Sequence, residues 1–322
     1  MSQAFFQKPL IKGPLLQLVS KVGYRGADMH FHTQYSMDGV SRIESVLEKC
    51  KKNGIGVAIT DHNEIKGAVR AVKEGQGLLI IPGIELTCHR GVHLILYFYK
   101  VNELKRFYQK EIVPRKKKNP FFLPIKIEKM LAVAREYNCV TCIPHPFGPG
   151  VIGVMKEVKV TKELLLKIDL IEGINGACLK HENKKAVVWA KEVKKGMTAG
   201  TDGHTTPQLG KVLCFSYGKT VKSFLDSLKK GKSTCVGTRE NMFGEIIHTM
   251  EKFITETRHE RGKLLELYEA RYKTEHDYLL QKLKKKKGYF SHHFHIHHAE
   301  LEQKHKEFMK GHQHYKHIVK KR

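Results

Sequence analysis

Between His30 and His204, histidine and carboxylate residues recur at the ends of short apolar runs, and this pattern most narrows what the 322-residue chain can fold into. The strand-like runs are Val57–Thr60, Leu79–Pro82, His93–Tyr99, Val140–Pro144, Leu170–Glu172 and Lys211–Phe215. Between them lie the helical patterns Arg42–Asn53, Ile127–Tyr137, Glu163–Lys167, Lys184–Lys194 and Val221–Lys230. Asn53-Gly54 is a stop for the first helix, since glycine supplies a left-handed residue without steric cost. Strands alternating with helices predict an α/β fold with a parallel sheet, either doubly wound or closed into a barrel.

The chemistry-bearing residues fall at fixed points of that pattern. Asp28-Met29-His30-Phe31-His32-Thr33 puts two imidazoles on one face of a strand, because side chains alternate with period two, and Asp38-Gly39 follows. Alone, such a pair reads as two core histidines satisfied by backbone hydrogen bonds. The event repeats, however. Thr60-Asp61-His62-Asn63 follows Val57–Ile59, and Gly83-Ile84-Glu85-Leu86 follows Leu79–Pro82. His93 opens Leu94–Tyr99, His145-Pro146 closes Cys139–Pro144, and Thr201-Asp202-Gly203-His204 ends a short run near Met197–Gly200. In a parallel barrel the C-terminal strand ends converge on one face, where active sites are built. Imidazoles mixed with carboxylates suit zinc, iron or manganese.

Together these motifs resemble the polymerase and histidinol phosphatase (PHP) domain family, with matches in order from about residue 24 to residue 214. The resemblance implies a distorted seven-stranded (β/α)7 barrel and a metal-dependent phosphoesterase carrying two or three divalent transition-metal ions, Mn, Zn or Fe. It implies one ion on His30, His32 and Asp202 with Glu85 bridging, a second on Glu85, His93 and His145, and a third on Asp38, His62 and His204. His89 is the competitor for the place given to His93. Glu85, Asp202, His204 and His145 are the implied catalytic residues, the last two as candidates to move a proton. Water activated by the cations is the implied nucleophile, so no Ser or Cys nucleophile is required. Asp28 and Asp61 are expected behind the ligands, orienting imidazoles.

The formal charge of +26 points to an anionic partner. Counting Lys and Arg against Asp and Glu gives +19 for residues 1–238, −2 for 239–280 and +9 for 281–322, so most of the excess lies on the barrel. The expected substrate is a phosphorylated small molecule, a nucleotide or a nucleic-acid end. Two alternatives stand beside it: a nucleic-acid-binding protein whose metal site is structural, and a histidinol-phosphatase-like enzyme. Lys66, Arg90 and Arg115 are candidates to hold the rest of a substrate, against the plainer reading of surface charge.

Residues 1–238 are expected to form the barrel, with a basic insertion at about 102–125 read as a solvated loop. Residues 239–283 read as a helical extension that offers a surface for self-association, and 284–322 as a basic, His-rich low-complexity tail. Its histidines are read as solvated rather than as a closed zinc site. Cys139 and Cys142 read as core residues, lacking the second pair that a zinc site needs. Seven cysteines without a framework spacing, no signal-peptide pattern and no long apolar stretch predict a cytoplasmic protein without a membrane span.

Overall fold

Apolar residues that run without a break, rather than alternating with polar ones, form strands buried on both faces. His93–Phe98 is of this kind after its first residue, and in Ile80–Thr87 too every residue is buried, Glu85 included. The computed structural model describes residues 2–7, 23–116, 122–148, 154–158, 160–237, 303 and 306. The chain divides into two compact units, Met1–Phe253 and Ile254–Arg322. Of the second, Gln303 and Lys306 are helical and exposed. The expected helical extension, its self-association and, these two residues aside, the His-rich tail lie outside the described residues.

In the first unit ten strands form one sheet among the described residues. In chain order the elements are β1 (Gln3–Phe5), β2 (Tyr24–Phe31), α1 (Ile43–Asn53), β3 (Gly56–Ile59), α2 (Lys66–Glu74), β4 (Ile80–Thr87), β5 (His93–Phe98) and α3 (Val101–Phe107). There follow α4 (Ile127–Ala134), β6 (Cys139–Ile143), α5 (Val154–Glu157), α6 (Lys162–Leu166), β7 (Leu170–Asn175) and α7 (Lys180–Glu192). The last elements are β8 (Gly196–Gly200), β9 (Val212–Tyr217), α8 (Val221–Lys229) and β10 (Ser233–Gly237). The strand order is β1-β10-β9-β2-β3-β4-β5-β6-β7-β8.

Strands β2 to β8 make a nearly closed seven-stranded barrel. Closure comes where β2 meets the end of β8: Asp202 N–H donates to His30 O at 2.8 Å, His32 N–H donates to Gly203 O at 2.9 Å, and Phe31 bridges Gly203. The approach is too close for a side chain. A Cβ on Gly200 would stand 2.3 Å from His30 Cβ and 2.4 Å from its nitrogen. Gly200→Ala is therefore expected to cost roughly 3 kcal/mol through overpacking, lowering the melting temperature by roughly 6–12 °C. An unchanged melting curve would show that the seam yields freely.

One expectation needs correcting. The barrel is not parallel throughout, because β5 pairs antiparallel with both β4 and β6. Only Cys88–Val92 separate β4 from β5, a hairpin length too short for a crossover helix. His93 thus reaches the site from the start of its strand, opposite in direction to its neighbours.

A second correction concerns the insertion. Residues 101–116 are not a solvated loop: α3 continues through a π-helical turn, Tyr108–Ile112, and a 3-10 turn, Val113–Arg115. Leu104, Phe107 and Ile112 are fully buried, and each such side chain contributes about 1.5–3 kcal/mol. The rest of the helical reading holds closely. Gly54 ends α1 at φ 64°, its N–H donating to Cys50 O and Lys51 O. Cys142 is buried and Cys139 partly buried, and all seven cysteines are free thiols.

Candidate metal centre

Glu85 sits within β4, not beyond its end, and its carboxylate lies among histidines. Oε1 is 2.9 Å from His93 Nδ1 and 3.2 Å from His145 Nε2. Oε2 is 3.1 Å from His30 Nε2, 3.3 Å from His32 Nε2 and 3.3 Å from His62 Nδ1. Five imidazoles therefore converge on one carboxylate that is wholly buried.

Around it the donor atoms gather into overlapping groups. His30, His32, Glu85 and Asp202 form one, His32, Asp38, His62 and His204 another, and His62, Glu85 and His93 a third. His145 adjoins the third, with Nε2 3.3 Å from His93 Nδ1. Asp202 Oδ1 is 3.1 Å from His32 Nε2 and 3.3 Å from His30 Nε2. Asp38 Oδ2 stands 3.2 Å from His204 Nε2 and 3.4 Å from His62 Nε2. All nine sequence-predicted residues are thus brought together. His89, the competitor for His93, is exposed in the turn between β4 and β5.

The grouping fits cations. His30 Nε2 and His32 Nε2 face each other at 3.2 Å with two carboxylate oxygens alongside, a convergence of lone pairs that asks for positive charge between them. Protons can supply some of it. Burial disfavours the imidazolium, yet the Asp202 and Glu85 carboxylates push His32 up to about 10, and carboxylates also raise His30 and His145. Burial likewise opposes ionisation of the carboxylates, and the surrounding imidazoles overcome it, holding Glu85, Asp38 and Asp202 well below the usual range. For His93 burial wins, leaving it near 4, the neutral form that a ligand needs.

Backbone strain collects here too. His145 has φ 27°, Asp202 φ 52° and Asn63 φ 50°, left-handed conformations uncommon outside glycine. Asn63 Oδ1 accepts the Thr87 N–H at 3.0 Å, which fixes the His62 loop against the end of β4. Such strain is held by surrounding structure and gathers at functional sites.

The supporting residues differ from expectation. Asp28 and Asp61 orient backbone, not imidazoles. Asp28 accepts from Thr201 N–H at 2.9 Å, Thr201 Oγ1 at 2.6 Å and Gly210 N–H at 3.0 Å, tying the Asp202 loop to β2. Asp61 accepts from Thr33 N–H at 2.6 Å and Thr33 Oγ1 at 2.9 Å. Burial lifts both carboxyls to about 6, the hydrogen bonds notwithstanding.

The residue that orients an imidazole is Glu172, which sequence reasoning left as the end of a strand. Its Oε1 is 3.1 Å from His30 Nδ1, and its Oε2 accepts from His145 N–H at 2.8 Å and Asn175 Nδ2 at 2.9 Å. Asn175 Nδ2 also reaches Asp202 Oδ2 at 3.2 Å. Glu172→Gln keeps the shape but puts an amide N–H where a lone pair is needed. Metal affinity is expected to fall roughly 10–100-fold with the circular dichroism spectrum unchanged. Equal metal content after dialysis against limiting metal would remove Glu172 from this role.

The group is closed on one side and open on the other. His30, His32 and Glu85 have no exposure, whereas the side chains of Asp38 and His204 are 25% and 31% exposed. The centre is open to solvent on the Asp38–His204 side.

Comparison with known proteins agrees with this architecture. The chain is 39% identical over 72 residues to an error-prone DNA polymerase of Symbiobacterium thermophilum, a stretch covering 21% of this chain and 7% of the polymerase. Among solved structures, the lesion-specific endonuclease Q of Pyrococcus furiosus superposes with a TM-score of 0.55 at 20% identity, covering 66% of this chain and 57% of that one. A two-domain protein of Bacteroides vulgatus containing a predicted PHP-like metal-dependent phosphoesterase gives a TM-score of 0.51 at 14% identity, covering 73% and 69%. A PHP-associated domain matches residues 180–233 and the PHP domain matches residues 28–195. Since that last match takes in more than half of the 322 residues, the chain belongs to the PHP domain family.

Proposed function

We propose that the chain is a metal-dependent phosphoesterase that hydrolyses a phosphomonoester or phosphodiester at the Glu85 centre. The observation that carries this reading is the convergence of five imidazole nitrogens within 2.9–3.3 Å of the two Glu85 oxygens. Likeness to a polymerase and to a lesion-specific endonuclease supports nucleic acid among the candidate substrates.

His30, His32, Asp202 and Glu85 would hold one ion, Glu85, His93 and His145 a second, and Asp38, His62 and His204 a third. Bound cations supply Lewis-acid neutralisation of phosphoryl oxygens and lower the pKa of bound water. The protein's own part is positioning. Glu85 fixes two donor groups at a constant separation, since one oxygen faces His93 and His145 while the other faces His30, His32 and His62. Glu172 fixes His30 and the His145 backbone together. Of the two candidates to move a proton, His204 has the exposure to meet a leaving group, whereas His145 is enclosed with its Nε2 directed at Glu85.

The test is a substrate panel assayed with Mn²⁺, Zn²⁺ or Fe²⁺: p-nitrophenyl phosphate, bis-p-nitrophenyl phosphate, cyclic nucleotides and short RNA and DNA. The wild-type chain is expected to turn over at least one of these, and His32→Ala none. Fully metal-loaded protein inert toward the whole panel would sink the reading and leave a structural metal site.

A further inference from the structure

Outside the metal centre, one concave surface carries charge that the fold does not use. A cleft of about 710 Å³ lies between α2 and the α3–π-turn segment, its lining starting at Glu64, two residues past His62. Ile65, Val69 and Tyr108 are among its lining residues, and its cations are Lys66, Arg70, Lys73 and Lys105.

The carboxylates of the cleft are already paired. Glu64 accepts from the Ile65 and Lys66 N–H groups at 3.0 and 3.3 Å and lies 3.4 Å from Lys116 Nζ. Glu74 and Glu44 are both taken by Arg70. What remains is Lys66, Lys73 and Lys105, all exposed and, among the described residues, with no carboxylate within ion-pair distance. Lys66 and Lys73 are two turns apart on one helix face, a separation of about 10 Å. Two cations so separated meet different phosphates of one strand.

We infer that this cleft binds the phosphate chain of a single nucleic-acid strand whose scissile phosphate lies in the metal centre. The inference rests on the phosphoesterase reading of that centre and names its substrate class. Two features select a strand over other polyanions. The cations line a concave cleft, which a bilayer surface does not enter. The lining of the cleft begins two residues past His62 of the metal centre, and a chain of phosphates is a ligand long enough to reach from one to the other.

The experiment uses the full-length chain and the charge-removing variant Lys73→Gln/Lys105→Gln, neither position belonging to the catalytic machinery. Binding of a fluorescent 12-nucleotide single strand is measured in EDTA across a salt series. Cleavage of that strand and of bis-p-nitrophenyl phosphate is measured in Mn²⁺. The variant is expected to bind the strand at least tenfold more weakly, with the slope of log affinity against log salt shallower by about 1.4, two contacts at about 0.7 each. Its activity on the small diester should be unchanged. Unaltered strand binding and salt slope overturn the cleft while leaving the phosphoesterase reading intact. Absence of turnover on both substrates in wild type overturns the phosphoesterase reading, and the binding data still judge the cleft. Pyrophosphate competing as strongly as the strand, phosphate for phosphate, would assign the cleft to small phosphates and overturn the strand.

Discussion

Glu85→Gln is expected to abolish turnover and metal retention together, with a fall in kcat/KM of at least about 10³-fold, or roughly 4 kcal/mol of transition-state stabilisation. The side chain keeps its volume, so the fully buried pocket at β4 is not emptied. What changes is valence and charge. Both Glu85 oxygens accept, one toward His93 and His145 and the other toward His30, His32 and His62. An amide accepts on one side only and donates on the other, and it carries no negative charge to offset the cations. The check is metal content by plasma emission spectroscopy alongside initial rates, with near-ultraviolet circular dichroism confirming the fold. Full metal content with wild-type rates in Glu85→Gln would remove the shared-carboxylate design.

Much of this centre was legible because strand geometry is periodic. His30 and His32 share a face, and His62, His145, Asp202 and His204 follow apolar runs at positions that a barrel brings together. Glu172 was not legible. A single glutamate closing an apolar run looks like a strand end, and its partners, His30 and His145, lie 142 and 27 residues away. Asp28 and Asp61 were visible as acids beside histidines, yet which groups they accept from depends on how the Thr201 and Thr33 backbones fold over them.

The reversed direction of β5 did leave a trace in the sequence. His93 precedes its apolar run while the other histidines follow theirs, and only five residues separate it from Thr87, too few for a parallel crossover. The insertion misled for the opposite reason. Its run of basic residues dominates the composition, while the spacing of Leu104, Phe107 and Ile112 already marked a helix face turned to the core.

Stripping the metal is expected to lower the melting temperature by more than 10 °C, the largest stability effect available without mutation. Only the folded state binds the ions. The donors converge from β2, β4, β5 and the loops after β2, β3, β6 and β8, so the unfolded chain does not present the site. An ion at a thousandfold excess over its dissociation constant stabilises the folded state by about 4 kcal/mol. Two such ions contribute about 8 kcal/mol, worth at least 16 °C at roughly 2 °C per kcal/mol. Without cations the Glu85, Asp202 and Asp38 charges are offset only by protons on imidazoles such as His32, raised to about 10. Those protons must leave when a metal enters, so affinity falls as pH falls and binding releases acid. Scanning calorimetry with chelator, with excess Mn²⁺ and at two pH values measures both effects. The stabilisation should be larger at pH 8 than at pH 6, and a chelated protein melting at the metal-loaded temperature would mean that the convergent donors hold no ion that matters to the fold.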